Sequence, residues 1–401
     1  MVPFRVLFVD DEPNILQGLR RMLYPMRREW QMEFTVNGHD ALARLAQRPF
    51  DAVVSDMRMP GMDGADLLTA VKKRHPNVVR VILSGESDQA SILRSLDATH
   101  QYLSKPCDPD TLLSTLARAC GVRRLLADER LQSLVSQLGA LPSPPAMYLE
   151  LMAECRKPDP SLQRIVDTVN ADIGMTAQVL RLANSAFFGR QRRITHLLDA
   201  LQILGTNTVK ELVLSTQVFG AHQGAASPSF SIDQLQRYSL DVSACARMIA
   251  ELERVDDQVV DDASIAGLLH DIGILVLATR LPAEWDAALE AARAGETDLA
   301  EVERSMIGAS HAAVGAYLLG LWGLPDAVIE AVVYHHTPRE GPRGQLTPAA
   351  IVHAADAVVQ GAEANLPHAP LDMDALEEIG LAGRVEVWRA ERARVLERRG
   401  A

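Results

Sequence analysis

Residues 50–64 read FDAVVSDMRMPGMDG. An apolar run of strand length ends at Asp56 and breaks into a turn rich in methionine, proline and glycine. Two more runs, RVLFVDDE (5–12) and VVRVILSGES (78–87), and a shorter one, HQYLSKP (100–106), also end in polar residues. Helical patterns lie between them at Ile15–Leu23, Ala41–Ala46, Ala65–Lys73 and Ala90–Leu96. Continuous apolar strands alternating with helices predict a doubly wound α/β unit, a parallel sheet covered on both faces. Loops beyond the carboxyl ends of such strands gather into one crevice.

That crevice would hold Asp10, Asp11, Asp56, Ser84 and Lys105. Three carboxylates in one place repel unless they share a cation or take up protons. Oxygen ligands alone favour Mg²⁺, which keeps several waters and accepts phosphate oxygens. Lys105 and the Ser84 hydroxyl are then suited to the remaining oxygens of a phosphoryl group. The set makes chemical sense if Asp56 is a nucleophile that accepts that group from a partner.

These residues carry a resemblance. The Asp10–Asp11 pair, the D-x-x-M-P-G-M-D-G run from Asp56, Ser84 followed by Gly85, and Lys105–Pro106 make residues 4–120 resemble a response-regulator receiver domain. The resemblance implies a flavodoxin-like, five-stranded parallel sheet with Asp56 as phosphoacceptor. It implies Mg²⁺ held by Asp10, Asp11, Asp56 and the backbone of Arg58, with Ser84 and Lys105 at the phosphoryl group. It further implies Tyr102 as the aromatic switch residue and a cis bond between Lys105 and Pro106. Within the match, Arg58 and Glu86 would flank the acyl phosphate and pair across it.

Length and composition bound the rest. A chain of 401 residues exceeds one ordinary core. Apolar residues make up 48% of it and aromatics only 4%, which suits a helix-rich folded protein rather than a disordered one. The net charge is −12, and acids and bases roughly balance up to about residue 121, so the excess negative charge falls on the remainder. That speaks against an output domain that grips nucleic acid through its phosphates. No secretory leader or spanning segment is read, and Cys107, Cys120, Cys155 and Cys245 are too scattered for a zinc or disulfide framework. A cytoplasmic protein away from membranes is expected.

From Asp108 a helical pattern runs through Leu138; either it breaks near Gly121 or it continues as a connector that could pair with a second protomer, and the break is favoured because glycine weakens a helix interior. The proline-rich LGALPSPPAM (138–147) then ends it. Beyond it nearly every periodic segment is helical. Asp172 reads as a helix cap and Asn184 as a core hydrogen-bonder. The run DIGMTAQVLRLANSAFFG (172–189) resembles the HDOD domain, an all-helical signalling relative of the HD phosphohydrolases. The expected organisation is a receiver at 1–121, a helical connector at 122–140, an HDOD domain at 141–365 and a helical extension at 366–401.

Within the helical part, GLLHDIGIL (267–275) places His270 and Asp271 in an apolar run. His311, His335–His336 and Asp356 follow on later segments, and ligands from facing helices can converge on one ion. In HD phosphohydrolases the basic set is a first histidine, the HD doublet and a final aspartate; His270, Asp271 and Asp356 fit three places. The first place holds Tyr238, a poor ligand at neutral pH, and Ile274 stands where the cyclic-dinucleotide-degrading group has lysine. Nor does His335–His336 lead into that group's glutamate and G-Y-P.

Two readings follow. In one, His270, Asp271, His311, His335, Asp356 and Tyr238 are a vestigial site, a hydrogen-bonded network that fixes helix packing. No transition metal and no catalytic residue are then expected, and output runs through an unidentified protein partner, with a homodimer as one form. In the other, the chain is a metal-dependent phosphohydrolase of a nucleotide or cyclic dinucleotide. The first is favoured, because the site lacks a ligand and a cation. A sensor histidine kinase or a small phosphodonor would supply the phosphoryl group. His196, His222 and His353 read as surface or packing residues, and Trp285, Trp322 and Trp388 as core anchors.

Overall fold

The computed structural model describes residues 4–85, 95, 97–126, 128–138, 151, 154, 157, 160–184, 194–214, 229–295, 297–342, 345–363 and 370–400. Five strands form one all-parallel sheet: β1 Phe4–Val9, β2 Trp30–Thr35, β3 Ala52–Asp56, β4 Val79–Ser84 and β5 Gln101–Ser104. Their spatial order is β2–β1–β3–β4–β5. Register pairs Val9 with Ser55, Asp56 with Leu83, and Ser84 with Ser104. Asp10, Asp56, Ser84 and Lys105 therefore leave the sheet at one edge. Strand β2 was not among the four apolar runs. Its sequence, WQMEFT, is polar at alternate positions and buries only its first and last residues, as an edge strand does.

Helices α1 Pro13–Met22, α2 Gly38–Gln47, α3 Gly64–Arg74 and α4 Pro109–Gly121 cover the sheet. The side chains of Asn37, Asp63 and Asp108 cap α2, α3 and α4 by accepting from backbone N–H groups. At Gly64 a Cβ would fall 2.2 Å from the Asp56 carbonyl oxygen, so only glycine lets α3 begin against the end of β3. The Lys105–Pro106 bond is cis. Of the helix expected at Ala90–Leu96, only Ser95 is among the described residues.

Helix α4 stops at Gly121, a short 3₁₀ turn spans Val122–Leu125, and α5 (Glu129–Ser136) restarts on the Asp128 cap. The following helices are α6 Leu162–Asn170, α7 Ile173–Ala183, α8 Leu197–Leu214, α9 Ile232–Leu252, α10 Asp257–Leu269 and α11 Ile272–Arg280. Then come α12 Pro282–Gly295, α13 Leu299–Met306, α14 His311–Leu321, α15 Asp326–Tyr334, α16 Pro348–Glu363, α17 Met373–Glu378 and α18 Val385–Gly400. Asp172 caps α7 through Met175 N–H (2.8 Å), and Asn184 bonds Ile194 through both amide groups. Trp285, Trp322 and Trp388 are buried. Most of the linker at 138–147, together with Cys155 and His222, lies outside the described residues. No described helix is long and apolar enough to cross a membrane.

The sheet and the helical region meet at β4, β5 and α14. The Gln101 amide donates to the Leu321 carbonyl (3.1 Å), where Gly323 (φ 76°) turns the chain away from α14. A Cβ on Gly320 would lie 2.4 Å from Val122 Cγ1, so the connector presses against α14 where that helix has no side chain. Arg80 is buried and spends its guanidinium on carbonyls, donating to Ala98 (2.6 Å), Pro76 (2.9 Å), Val78 (3.0 Å) and Ser136 (2.5 Å). From the helical side, Arg181 donates to the Thr99 carbonyl and lies 4.9 Å over the Trp322 ring.

His100 is buried in this contact. Its Nδ1 accepts from Arg80 N–H (3.2 Å), and its Nε2 lies 2.7 Å from Arg80 Nη2 and 3.1 Å from the Ser136 carbonyl oxygen. Burial, reinforced by the Arg80 charge, holds its pKa well below the ordinary imidazole range. The unfolded chain then binds a proton that the folded chain refuses, so stability is full at higher pH and falls as acid is added. Below about pH 6.5 the loss approaches ~1.4 kcal/mol per pH unit. Urea unfolding across that range should give a dependence of stability on pH that is shallower in His100→Gln than in the wild type by up to this amount. Equal slopes would mean that His100 is not buried in neutral form.

Candidate functional site

At the carboxyl edge of the sheet, Asp10 and Asp56 are buried and Lys105 reaches both. Its Nζ lies 2.7 Å from Asp10 Oδ2 and also contacts Asp56 Oδ1. The second Asp56 oxygen accepts from Arg58 N–H (2.7 Å), and Asp10 accepts from Glu12 N–H (2.9 Å). Burial raises the Asp56 pKa above the ordinary carboxylate value, against the opposing pull of Lys105. Burial also disfavours the Lys105 charge, but the two carboxylates outweigh it and raise its pKa. Asp11 stands beside them, half-buried. Ser84 is buried at the end of β4. Tyr102 is buried with its hydroxyl 3.0 Å from Ser95 Oγ. Glu86, the expected partner of Arg58, lies outside the described residues.

The second cluster is assembled by glycines. A Cβ on Gly273 would sit 1.9 Å from the His311 carbonyl oxygen, and one on Gly315 would be 2.9 Å from Ile272 Cγ2. Helices α11 and α14 thus touch backbone to backbone, which sets Asp271 beside His311. His335 and His336 arrive from the end of α15 and Asp356 from α16. His270 Nε2 is 3.2 Å from Asp271 Oδ2, while His311 Nε2 and His335 Nε2 are 3.3 Å and 3.7 Å from Asp271 Oδ1. Tyr238 donates its hydroxyl to Asp356, which also accepts from the Gln360 amide (3.1 Å). All the residues read from the sequence are brought together.

They do not, however, close into the expected hydrogen-bonded network. Among the described residues, His270 Nε2, His335 Nε2 and both Asp271 oxygens are buried without a hydrogen bond. The tautomers explain why. His270 Nδ1 faces the Gly267 carbonyl (2.8 Å), His335 Nδ1 the Val332 carbonyl (2.7 Å), and His311 Nδ1 a Glu303 oxygen (2.6 Å). Each partner only accepts, so each Nδ1 carries a proton, and a neutral ring turns a lone pair inward from Nε2. Asp271 thus faces three Nε2 atoms, and a ring that takes up a proton there becomes a cation beside its carboxylate.

Charge is distributed accordingly. Burial disfavours an ionised Asp271, but His270, His311 and His335 together hold its pKa far below the usual range. Burial likewise opposes a charged His311, yet the Glu303 carboxylate outweighs it and raises this pKa to about 9. His335 is pushed down to about 3 by burial and by His270. Sequence reading missed Glu303, which sits among Glu301 and Arg304 on an acidic helix and gives no sign of its burial. It named His336 without placing it in the site. His336 Nε2 lies 2.9 Å from His311 Nε2, and its Nδ1 is 3.7 Å from Asp298. His353 is a packing residue, with Nδ1 2.6 Å from the His335 carbonyl.

Comparisons with known proteins agree with this division. The response regulator receiver domain profile matches residues 6–117, and the HDOD domain profile matches residues 141–338. The chain belongs to the response regulators that join a receiver domain to an HDOD domain. It is 30% identical over 223 residues to the transcriptional regulatory protein ZraR of Salmonella typhimurium, covering 55% of this chain and 48% of that one. Identity to a Treponema pallidum protein is 26% over 210 residues, covering 52% and 40%. The chain thus spans less than half the length of these relatives. Among solved structures, the MmoQ response regulator of Methylococcus capsulatus is similar at 22% identity, covering 63% of this chain and 98% of that one with a TM-score of 0.49. An HDOD domain protein of Geobacter sulfurreducens covers 69% and 89% at 23% identity with a TM-score of 0.36.

Proposed function

We propose that phosphoryl acceptance at Asp56 controls a non-catalytic HDOD output domain that acts through contacts with another protein. The observation that carries this reading is the continuity between phosphoacceptor and output helix. Ser84 ends β4, which pairs with β5; Tyr102 on β5 adjoins Gln101, and Gln101 holds the carbonyls that end α14. The same helix begins at His311. A shift of Ser84 and Tyr102 toward a phosphoryl group would pull on that contact.

The donor set of Asp10, Asp11 and Asp56, with the Arg58 backbone, suits Mg²⁺, which would neutralise the incoming phosphoryl oxygens. The chain's own part is to hold Asp56 ready and to place Lys105 where it can release the carboxylates and follow the new charge. A sensor histidine kinase or a small phosphodonor in the bacterial cytoplasm would supply the group. The non-catalytic reading is supported by Tyr238, which occupies Asp356, and by the full burial of His270, Asp271 and His335, out of reach of a phosphate ester. The output surface then recruits a protein, or a second copy of the chain.

Hydrogen exchange on the full chain tests the coupling. With Mg²⁺ and beryllofluoride, amides of residues 122–125 and 316–323 should exchange several-fold faster or slower than in the untreated protein. Asp56→Asn should show no such change. Exchange at these segments that ignores the phosphoryl mimic in the wild type would overturn control through this contact.

A further inference from the structure

We infer that the helical domain carries a docking site for an extended segment of a partner protein, and that receiver residues 98–101 occupy this site in the unphosphorylated chain. The site is formed by Arg181, Tyr317, Trp322 and the carbonyl end of α14. This inference rests on the protein-mediated output proposed above and names the surface that output would use.

Contacts made residue by residue carry it. Ala98, Thr99, His100 and Gln101 lead into the edge strand β5, and all four are buried. Three successive residues each meet a different helix. The Thr99 carbonyl accepts from Arg181 on α7, and His100 Nε2 lies 3.1 Å from the Ser136 carbonyl oxygen at the end of α5. The Gln101 amide donates to the Leu321 carbonyl (3.1 Å) at the end of α14. One main-chain carbonyl and two polar side chains met in order by fixed groups is how a groove recognises an extended peptide.

The receiving surface has the composition of a binding hot spot, where arginine, tyrosine and tryptophan dominate. Arg181, Tyr317 and Trp322 are all buried, the guanidinium lies 4.9 Å over the Trp322 ring, and the Tyr317 hydroxyl is 3.0 Å from Ser136 Oγ. A buried cation stands apart in a region that carries nearly all of the chain's excess negative charge. It suits a segment with an acidic residue, as the receiver presents in Asp97, whose charge favours the charged form of Arg181.

The closed contact is also poised to release. Arg80 is buried against carbonyls and His100, with no carboxylate partner among the described residues. Arg181 adds a second guanidinium, and burial lowers both pKa values, to about 9 for Arg80 and about 10 for Arg181. Two cations taken from water into one contact lose hydration and repel each other, so separating the domains recovers part of that cost.

The test titrates a fluorescent peptide of residues 95–102, SLDATHQY, into the full chain. The peptide competes with the tethered copy, so the untreated wild type should bind it weakly. Gln101→Ala in the chain, which loosens the tethered copy, should tighten binding at least ~10-fold, and Mg²⁺ with beryllofluoride should do the same to the wild type. Adding Arg181→Gln should abolish the gain. If that variant does not fold, the ligand side decides: a peptide carrying Gln101→Ala should bind several-fold more weakly, and a scrambled peptide not at all. No gain from Gln101→Ala in the chain, or equal binding of the scrambled peptide, would overturn the inference. A gain from Gln101→Ala without one from beryllofluoride would support the docking site while removing phosphoryl control, so the two readings fail separately.

Discussion

The Asp56→Asn protein should take up no phosphoryl group from a small acyl phosphate in Mg²⁺, where the wild-type chain becomes labelled at a single site. The reaction forms a bond from an Asp56 carboxylate oxygen to phosphorus and breaks the donor's bond to it, with the leaving group keeping the electron pair. The neutral amide oxygen lacks the negative charge that makes the carboxylate a nucleophile, so the loss is complete rather than graded. Burial raises the Asp56 pKa, yet Lys105 and the Arg58 N–H keep both oxygens ordered and directed. The substitution should not unfold the sheet, because Lys105 retains Asp10 at 2.7 Å. Intact-mass measurement on both proteins checks the outcome, with circular dichroism confirming that the variant is folded. Continued labelling of Asp56→Asn would show that another residue is the acceptor.

The acceptor was legible because its chemistry and its strand coincide in sequence. Asp10, Asp56, Ser84 and Lys105 each follow an apolar run, and a parallel sheet places such ends together. Strand β2 was not legible, since Gln31 and Glu33 interrupt WQMEFT at an edge where one side is wet. In the helical region, His270, Asp271, His311, His335 and Asp356 could be picked out as polar points in apolar surroundings. What they do to one another could not. That depends on which ring nitrogen meets a carbonyl, and on Glu303, whose burial follows only from how α13 and α14 fold over it. The contact between the two domains was equally hidden: Arg80 reads as an ordinary polar residue in VVRVILSGES, although its guanidinium is buried and reaches Ser136.

Gly273→Ala should be the most destabilising single methyl in the helical domain. The new Cβ would lie 1.9 Å from the His311 carbonyl oxygen, 2.7 Å from its carbonyl carbon and 2.9 Å from Gly315 N. All three are backbone atoms, so no rotamer change relieves the clash, and α11 must draw back from α14. That separation opens the packing of Ile272, Leu275 and Val276, which are almost wholly buried, and moves Asp271 away from His311. Ordinary overpacking costs about 1–3 kcal/mol, and a rigid backbone clash should exceed it, by a loss of at least ~3 kcal/mol. Gly18→Ala is the matched control. Nothing lies within 4 Å of its added methyl, and α1 should gain about 0.5–1 kcal/mol from the better helix former. Urea unfolding followed by tryptophan fluorescence in a Trp30→Phe background reads the helical region through Trp285, Trp322 and Trp388, and circular dichroism reads the Gly18→Ala control. A Gly273→Ala midpoint equal to that of the wild type would mean that α11 and α14 do not meet at their backbones, and the placement of Asp271 beside His311 would fall with it.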